Sequence, residues 1–280
     1  MSEIDYRDWI GKCERAEDRA NLAPVTGLLA LLDDTDTTLA EGDPLPPLWH
    51  WLYFLPQAPM RELGPDGHPR RGGFLPPVSL PRRMFAGAQL RFHAPIAIGS
   101  PLVRESEVVD VETKSGRSGQ LVFVTVTHRL LADDSLAVEE TQNIVYREAG
   151  GPVPAPESRP FAAAPAGAWV REVSPDPVLL FRFSALTFNG HRIHYDRPYA
   201  TGEENYPGLV VHGPLIAMLL MDLVRRQATR PLAAYRFRAV APIFDTSPFR
   251  VLGLPEGDNV KLTAVRSDGA EAMQAEAGLA

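Results

Sequence analysis

The chain has 280 residues, 45% of them hydrophobic and 22% charged, a balance that suits one large soluble domain or two of ordinary size. Its formal charge of −7 excludes a general nucleic-acid binder, which carries a basic excess. The lone Cys13 excludes an internal disulfide. No apolar run reaches the ~18 residues of a membrane span, and the opening MSEIDYRDWIGK lacks a signal-peptide pattern, so a cytoplasmic protein is expected.

Residues 23–32, APVTGLLALL, predict a helix: Pro24 stands where a helix starts, and Leu28, Leu29 and Leu32 share one face. A long segment rich in proline and aromatics follows. Its Trp49, Trp51, Tyr53 and Phe54 read as packing residues rather than a base-stacking platform, given the acidic charge. Arg82 and Arg83 read as a solvated basic turn, with contact to phosphates as the functional alternative. GAQLRFHAPIAIG, LVRESEVVDVE, QLVFVTVTHRLL and LAVEETQNIVYRE are rich in Val, Phe and Ile and separated by turn residues, so they predict strands. In the third, Leu121, Phe123 and Thr125 face one way and Val122, Val124 and Val126 the other, which suits a central strand.

Residues 149–168 lose all periodicity in Pro, Ala and Gly and read as a linker. Beyond them PVLLFRFSA predicts a strand and GPLIAMLLMDLVRR a helix with Pro214 in its first turn and arginines at its end. AAYRFRAVAPIF, PFRVLGL, NVKLTAVRS and EAMQAEAGLA predict further strands. LRFHAPI from Leu90 and YRFRAVAPI from Tyr235 form a faint internal repeat about half a chain apart. Two related halves are therefore expected, 1–150 and 169–280, joined by 151–168.

The segment FSALTFNGHRIHYDRPYA, residues 183–200, packs Asn189, His191, Arg192, His194 and Asp196 into a mostly apolar stretch. Groups of this kind are costly to bury without partners or substrate. This segment, with YPGLVVHGPLIAMLL, resembles the hydratase segment of MaoC-like enoyl-CoA hydratases and dehydratases, and LPPLWHWLYFLP with LPRRMFAGAQLRFHAP is similar to their double hot-dog members. That group includes the mesaconyl-CoA and itaconyl-CoA hydratases and the mitochondrial-type hydroxyacyl dehydratases. The resemblance implies an α+β double hot-dog of two antiparallel sheets, each wrapped around a central helix. The C-terminal half would carry the chemistry, and the N-terminal half would complete the acyl pocket. The family's Asp–His spacing of five residues is kept by Asn189 and His194, and Val211, His212 and Gly213 match its helix start. Asn189 stands where the family has Asp, and His191 where it has Asn.

Adding water to a double bond conjugated with a thioester requires donors for the developing enolate oxygen, a base and an oriented water. Gly213 at a helix N-terminus supplies a backbone N–H, His194 the base, and Asn189 either orients water or caps its turn. His191 is a polar wall of the site or faces solvent, and Arg192 is a candidate partner for a substrate carboxylate. A metal on His191, His194 and His212 is not expected, because no Cys or Glu ligand lies nearby; no cofactor is expected beyond the CoA of the substrate. The function implied is hydration of an enoyl-CoA, foremost a branched dicarboxylic one of the mesaconyl or itaconyl type. The alternatives are an (R)-specific 3-hydroxyacyl-CoA or acyl-carrier dehydratase and a non-catalytic acyl-CoA-binding protein. An acyl-CoA thioester is the expected partner, nucleic acid and membrane are not, and a homodimer is the assembly to test.

Overall fold

The computed structural model describes residues 4–116 and 119–280. The first half contributes β1 (Cys13–Arg19), α1 (Leu22–Leu31), β2 (Arg82–Phe92), β3 (Pro101–Gly116), β4 (Gly119–Ala132) and β5 (Ser135–Arg147). The second contributes β6 (Trp169–Val173), α2 (Pro177–Leu186), α3 (Arg197–Gly202), α4 (Gly213–Gln227), β7 (Leu232–Ala239), β8 (Phe249–Glu256), β9 (Asn259–Arg266) and β10 (Glu271–Leu279). No described segment between Arg147 and Trp169 is helix or strand.

All strands pair antiparallel in one ten-stranded sheet of order β1-β3-β4-β5-β2-β7-β10-β9-β8-β6. The two expected sheets are thus joined edge to edge through β2 and β7. Read outward from that seam, each half repeats the same strand order. The repeat noticed in the sequence lies at the seam itself, where Leu90 of β2 faces Tyr235 of β7. Joining the halves this way removes two open edges that would otherwise invite pairing with other chains.

The alternating valines of β4 behave as a central strand should. Val122, Val124 and Val126 are buried with Val108, Val111 and Tyr146 under Val78 and Leu80 of the long loop. Helix α4 lies against β6, β8, β9 and β10, and every residue from Leu215 to Val224 is buried. A helix apolar on nearly all sides needs such enclosure, and each large side chain so covered stabilises the fold by about 1.5–3 kcal/mol. Its one buried charge, Asp222, is met by Arg171 at 2.9 Å, Arg225 at 2.7 Å and Arg226 at 2.8 Å. Arg225 and Arg226 also hold buried Asp34, just past α1.

PVLLFRFSA is not a strand but α2. Asp176 caps it, accepting from the Leu179 N–H at 2.7 Å, and Pro177 occupies its first position. That start signal outweighs the strand preference of Val and Phe. By chain order α2 answers α1, each following the edge strand of its half, and the two helices pack together. Where the second half continues into α4, the first runs from Asp33 to Pro81 with only short 3-10 turns at Trp49–Leu52 and Met60–Glu62.

Candidate active site

The chain leaves α2 through Phe188, in the left-handed region at φ 49°, and reverses direction at Asn189. The Asn189 N–H donates to the Ser184 carbonyl at 2.8 Å, and its Oδ1 accepts from the His191 N–H at 3.0 Å. That is an Asx turn, the capping geometry Asn favours. A 3-10 turn over Arg192–His194 follows, and Val210 comes alongside, its N–H donating to the Ile193 carbonyl at 3.0 Å.

His194 is buried, and its Nδ1 lies 2.7 Å from the Val210 carbonyl oxygen. A carbonyl only accepts, so Nδ1 carries the proton and Nε2 keeps its lone pair. Burial lowers the His194 pKa to about 4, against the opposing pull of the Val210 carbonyl. The imidazole is therefore neutral, with a free base nitrogen, across the physiological range. His212 stacks on it, ring centroids 3.6 Å apart and planes 19° from parallel, and is fixed by Ser184 Oγ at 2.9 Å from its Nε2. Burial, then the neighbouring imidazoles, keep His212 neutral as well.

Gly213 follows as the first residue of α4. Its N–H has no acceptor within the helix and stands at the positive end of the helix dipole. A Cβ on Gly213 would lie 4.0 Å from the Phe85 carbonyl oxygen, so this helix start stands beside β2. There the Phe85 ring meets Trp51 and Phe237 edge to face. Behind this aromatic wall lies a cavity of about 160 Å³ lined by His50, Trp51, Phe54, Arg104, Glu140 and, from the second half, Thr187. Burial alone would raise the Glu140 pKa, but the hydrogen bond and charge of His50, with His128 and the Trp51 N–H, together lower it and favour the carboxylate.

Other expected site residues lie elsewhere or are already engaged. Arg192 is drawn into an ion pair with Asp196 at 2.7 Å, donates to the Pro65 carbonyl at 3.0 Å and lies over the Tyr199 ring. Asp196, the carboxylate nearest His194 in sequence, caps α3 and holds Arg192, so it is spent structurally. Val211 packs in the main core, its N–H donating to the Ile243 carbonyl at 2.8 Å. Arg82 is not part of a solvated turn. It opens β2, is buried, and pairs with Glu204 at 2.9 Å beneath Tyr206, because a buried guanidinium needs a carboxylate. Arg83, the next residue, has no ion-pair partner among the described residues, and its charge bears on His68 and His191.

Asp66 and His68, which sequence reasoning passed over, come to the site from the long loop of the first half. His68 Nδ1 lies 3.1 Å from Asp66 Oδ2, and the His68 N–H donates to Oδ1 at 3.1 Å. The loop is docked on the histidine segment by backbone. The Arg192 N–H donates to the Asp66 carbonyl at 2.9 Å, and a Cβ on Gly67 would lie 1.9 Å from the Gly190 carbonyl oxygen. The His68 ring sits 4.1 Å from His191, which is 5.4 Å from His194, so four imidazoles stand in a row ending at His212. His191 is thus half-buried between the rings of His68 and His194. Burial, then the charges of its imidazole neighbours, lower its pKa to about 2. The only sequence signal for Asp66 and His68 was a DGHP turn, common in loops and silent about where the loop docks.

A strand order repeated across a seam, an enclosed helix and a buried histidine beside that helix's N-terminus define a double hot-dog of the dehydratase type. The family model for hydroxyacyl-thioester dehydratase type 2 matches residues 48–245, and the chain belongs to that family. It is 54% identical over 98% of both chains to mesaconyl-C(4)-CoA hydratase of Chloroflexus aurantiacus. It is 29% identical to the mitochondrial hydroxyacyl-thioester dehydratase type 2 of Schizosaccharomyces pombe, over 74% of this chain and 77% of that one. Among solved structures, a MaoC-like dehydratase superposes with a TM-score of 0.73 over 98% of this chain and 99% of the other, at 14% identity. A Mycobacterium tuberculosis protein described as a double hotdog fold superposes at 0.60, over 98% of each, also at 14% identity. These last two speak to the fold. No described helix is long and apolar enough to cross a membrane.

Proposed function

We propose that the chain is a hydro-lyase that adds water across the double bond of an enoyl-CoA thioester, with the C4 thioester of mesaconate as its substrate. The observation that carries the reading is His194, its Nδ1 proton fixed on the Val210 carbonyl and Nε2 left as a base next to the residue pair that opens α4. The substrate is supported by the 54% identity to a mesaconyl-C(4)-CoA hydratase over 98% of both chains.

The thioester oxygen accepts the Gly213 N–H at the positive end of α4, which favours the negative charge that develops there. His194 Nε2 takes a proton from water as the water oxygen bonds to the β-carbon. The π electrons move toward the α-carbon and the thioester oxygen, and the proton on His194 then passes to the α-carbon. Catalyst charge is restored at the end. Asn189 gives its Oδ1 to the turn that aims His191, and its amide nitrogen stays available to the water.

In mesaconyl-C4-CoA the β-carbon bears both a methyl group and the free carboxylate. An aspartate at position 189 would repel that carboxylate, and neutral Asn189 does not. With Arg192 held by Asp196, we assign this attraction, rather than a phosphate contact, to Arg83, whose charge bears on His68 and His191. kcat/KM for mesaconyl-C4-CoA against crotonyl-CoA tests the reading, and at least a tenfold preference for the dicarboxylic substrate is expected. Preference for crotonyl-CoA favours the straight-chain dehydratase that the family match supports. Turnover of neither leaves an acyl-CoA-binding protein.

A further inference from the structure

We propose that His68 is a second catalytic residue, delivered by the first half and held by Asp66, whose Nε2 accepts a hydrogen bond from the attacking water. The inference deepens the hydratase reading and rests on it. A water that loses one proton to His194 keeps a second O–H, which needs an acceptor beside that buried imidazole. Asn189 Oδ1 accepts from the His191 N–H and is held in that turn, and Asp196 is committed to α3 and Arg192. The carboxylate that reaches the imidazole row is Asp66, and it acts through His68.

The geometry of that pair is specific. Asp66 Oδ2 faces His68 Nδ1 at 3.1 Å, which fixes the proton on Nδ1. Nε2 then carries a lone pair and has no protein hydrogen-bond partner among the described residues. His194 is arranged the same way, Nδ1 on a fixed acceptor and Nε2 free. Two imidazoles in matching tautomers thus flank His191, each ring within 5.4 Å of it. The loop that brings His68 is locked by the Arg192 N–H to Asp66 carbonyl bond and the Gly67–Gly190 backbone contact. A loop held only for stability does not need a half-buried histidine oriented by an aspartate next to the imidazole row.

In the step itself the water O–H bond to His194 breaks, the C–O bond forms, and the remaining O–H stays on the product oxygen, hydrogen-bonded to His68. No net proton passes to His68. Asp66 is a positioning residue. Asp66, His68 and His191 have ligand atoms within 4.8 Å of one another, a spacing that would also suit a metal ion. However, Asp66 Oδ2 and His68 Nδ1 already satisfy each other.

Two variants separate the roles of the two ring nitrogens. His68→Gln places a carbonyl oxygen near the Nε2 position, whereas His68→Asn keeps a donor to Asp66 but removes that acceptor. Assayed with mesaconyl-C4-CoA, His68→Asn is expected to lose at least about tenfold in kcat with KM little changed. His68→Gln should retain several-fold more activity than His68→Asn. The reverse order, with thermal melts unchanged, would show that only the Nδ1 contact matters and would overturn the proposal. Asp66→Asn should lower kcat and, by removing a charge that raises the His68 pKa against the lowering influence of burial, Arg83 and Arg71, move the acidic limb of kcat downward. An unchanged profile and rate would also overturn it. So would a stoichiometric metal in the purified enzyme whose removal by chelator abolishes turnover. A wild-type enzyme inert toward every enoyl-CoA defeats the hydratase reading and this inference together. An active wild type with His68 variants of equal rate defeats the inference alone.

Discussion

The two halves share a strand order and differ in what fills the gap between the first and second strands. In the second half, 58 residues from Ser174 to Pro231 form three helices, the last of them the enclosed α4, and a histidine turn. In the first, the 62 residues from Ala20 to Pro81 form one helix and a long loop. The sheet is therefore a common frame, while activity depends on how one connection is spent. The second half uses its connection to build a helix N-terminus with a neutral base beside it. The first uses its own to seal the aromatic wall and to send Asp66 and His68 across to its partner's site. Each half also buries a polar group against histidine. In the first, His50 faces ionised Glu140 at 3.2 Å; in the second, His194 faces a carbonyl.

The largest expected effect tests that contrast directly. His194→Ala should lower kcat at least about 10²-fold with the fold intact, since the proposed mechanism makes its ring the base. His50→Ala should leave kcat of the folded enzyme within a few-fold and instead lower the melting temperature, since it strips a partner from buried Glu140. A His50 variant as slow as the His194 variant would mean that the first half takes part in chemistry through its cavity, and the contrast would fail.

The difference between the halves is only half legible in the sequence. Strands with alternating Val, Phe and Ile are readable because burial on a sheet imposes a period of two, and β4 is the clearest case. The edge strands β1 and β6 escape such a reading. CERAEDR and WVREV pair on one side only, and their charged residues hide the alternation. PVLLFRFSA misleads because an apolar run of that length suits strand and helix equally, and Asp176–Pro177 is the signal that decides. His194, Asn189 and Gly213 stand out in the sequence because one continuous segment resembles a family motif. Asp66 and His68 lie over 120 residues away from His194 in the chain, and only the fold brings them near.

The next effect concerns the fastening of α4. Arg225→Ala leaves Asp34 and Asp222 buried with fewer partners, and should destabilise the protein by about 3 kcal/mol, the low end for a broken buried pair because Arg226 remains. Denaturant unfolding measures this. The equivalent region past α1 in the first half has no such helix to hold. A loss below about 1 kcal/mol would show that the apolar faces of α4 alone fix it.

Titration gives a smaller effect with a definite sign. A base active in its neutral form gains activity as pH rises through its own pKa, so kcat should climb near pH 4, where burial has placed His194, and stay flat from there to neutrality. Stability follows the same group. His194 and His191 are lower in the folded state than the ~6.5 of an unfolded histidine. The unfolded chain then binds more protons, and stability declines as pH falls below about 6.5. Burial raises the Asp34 pKa, but the Arg225 guanidinium and Thr37 overcome it and hold it at about 2. Its contribution is therefore lost later, between about pH 4 and 2. A kcat limb near 6.5 would place the base outside the buried row.

The smallest and most selective effect is expected at Asn189. Asn189→Asp keeps an oxygen that accepts the His191 N–H, so the turn and the fold should survive. The new charge lies beside the imidazole row and favours their protonated forms, which moves the acidic limb of kcat upward for every substrate. A second consequence depends on the substrate. At roughly 6 Å and an effective dielectric near 20, two like charges repel by about 3 kcal/mol before screening. The free carboxylate on the β-carbon of mesaconyl-C4-CoA meets that repulsion, and crotonyl-CoA, with a methyl there, does not. Measured at pH 8, above the shifted limb, kcat/KM for mesaconyl-C4-CoA should fall several-fold more than for crotonyl-CoA. If both fall equally, the carboxylate does not sit near residue 189, and the neutral amide there is a feature of the turn rather than of substrate choice.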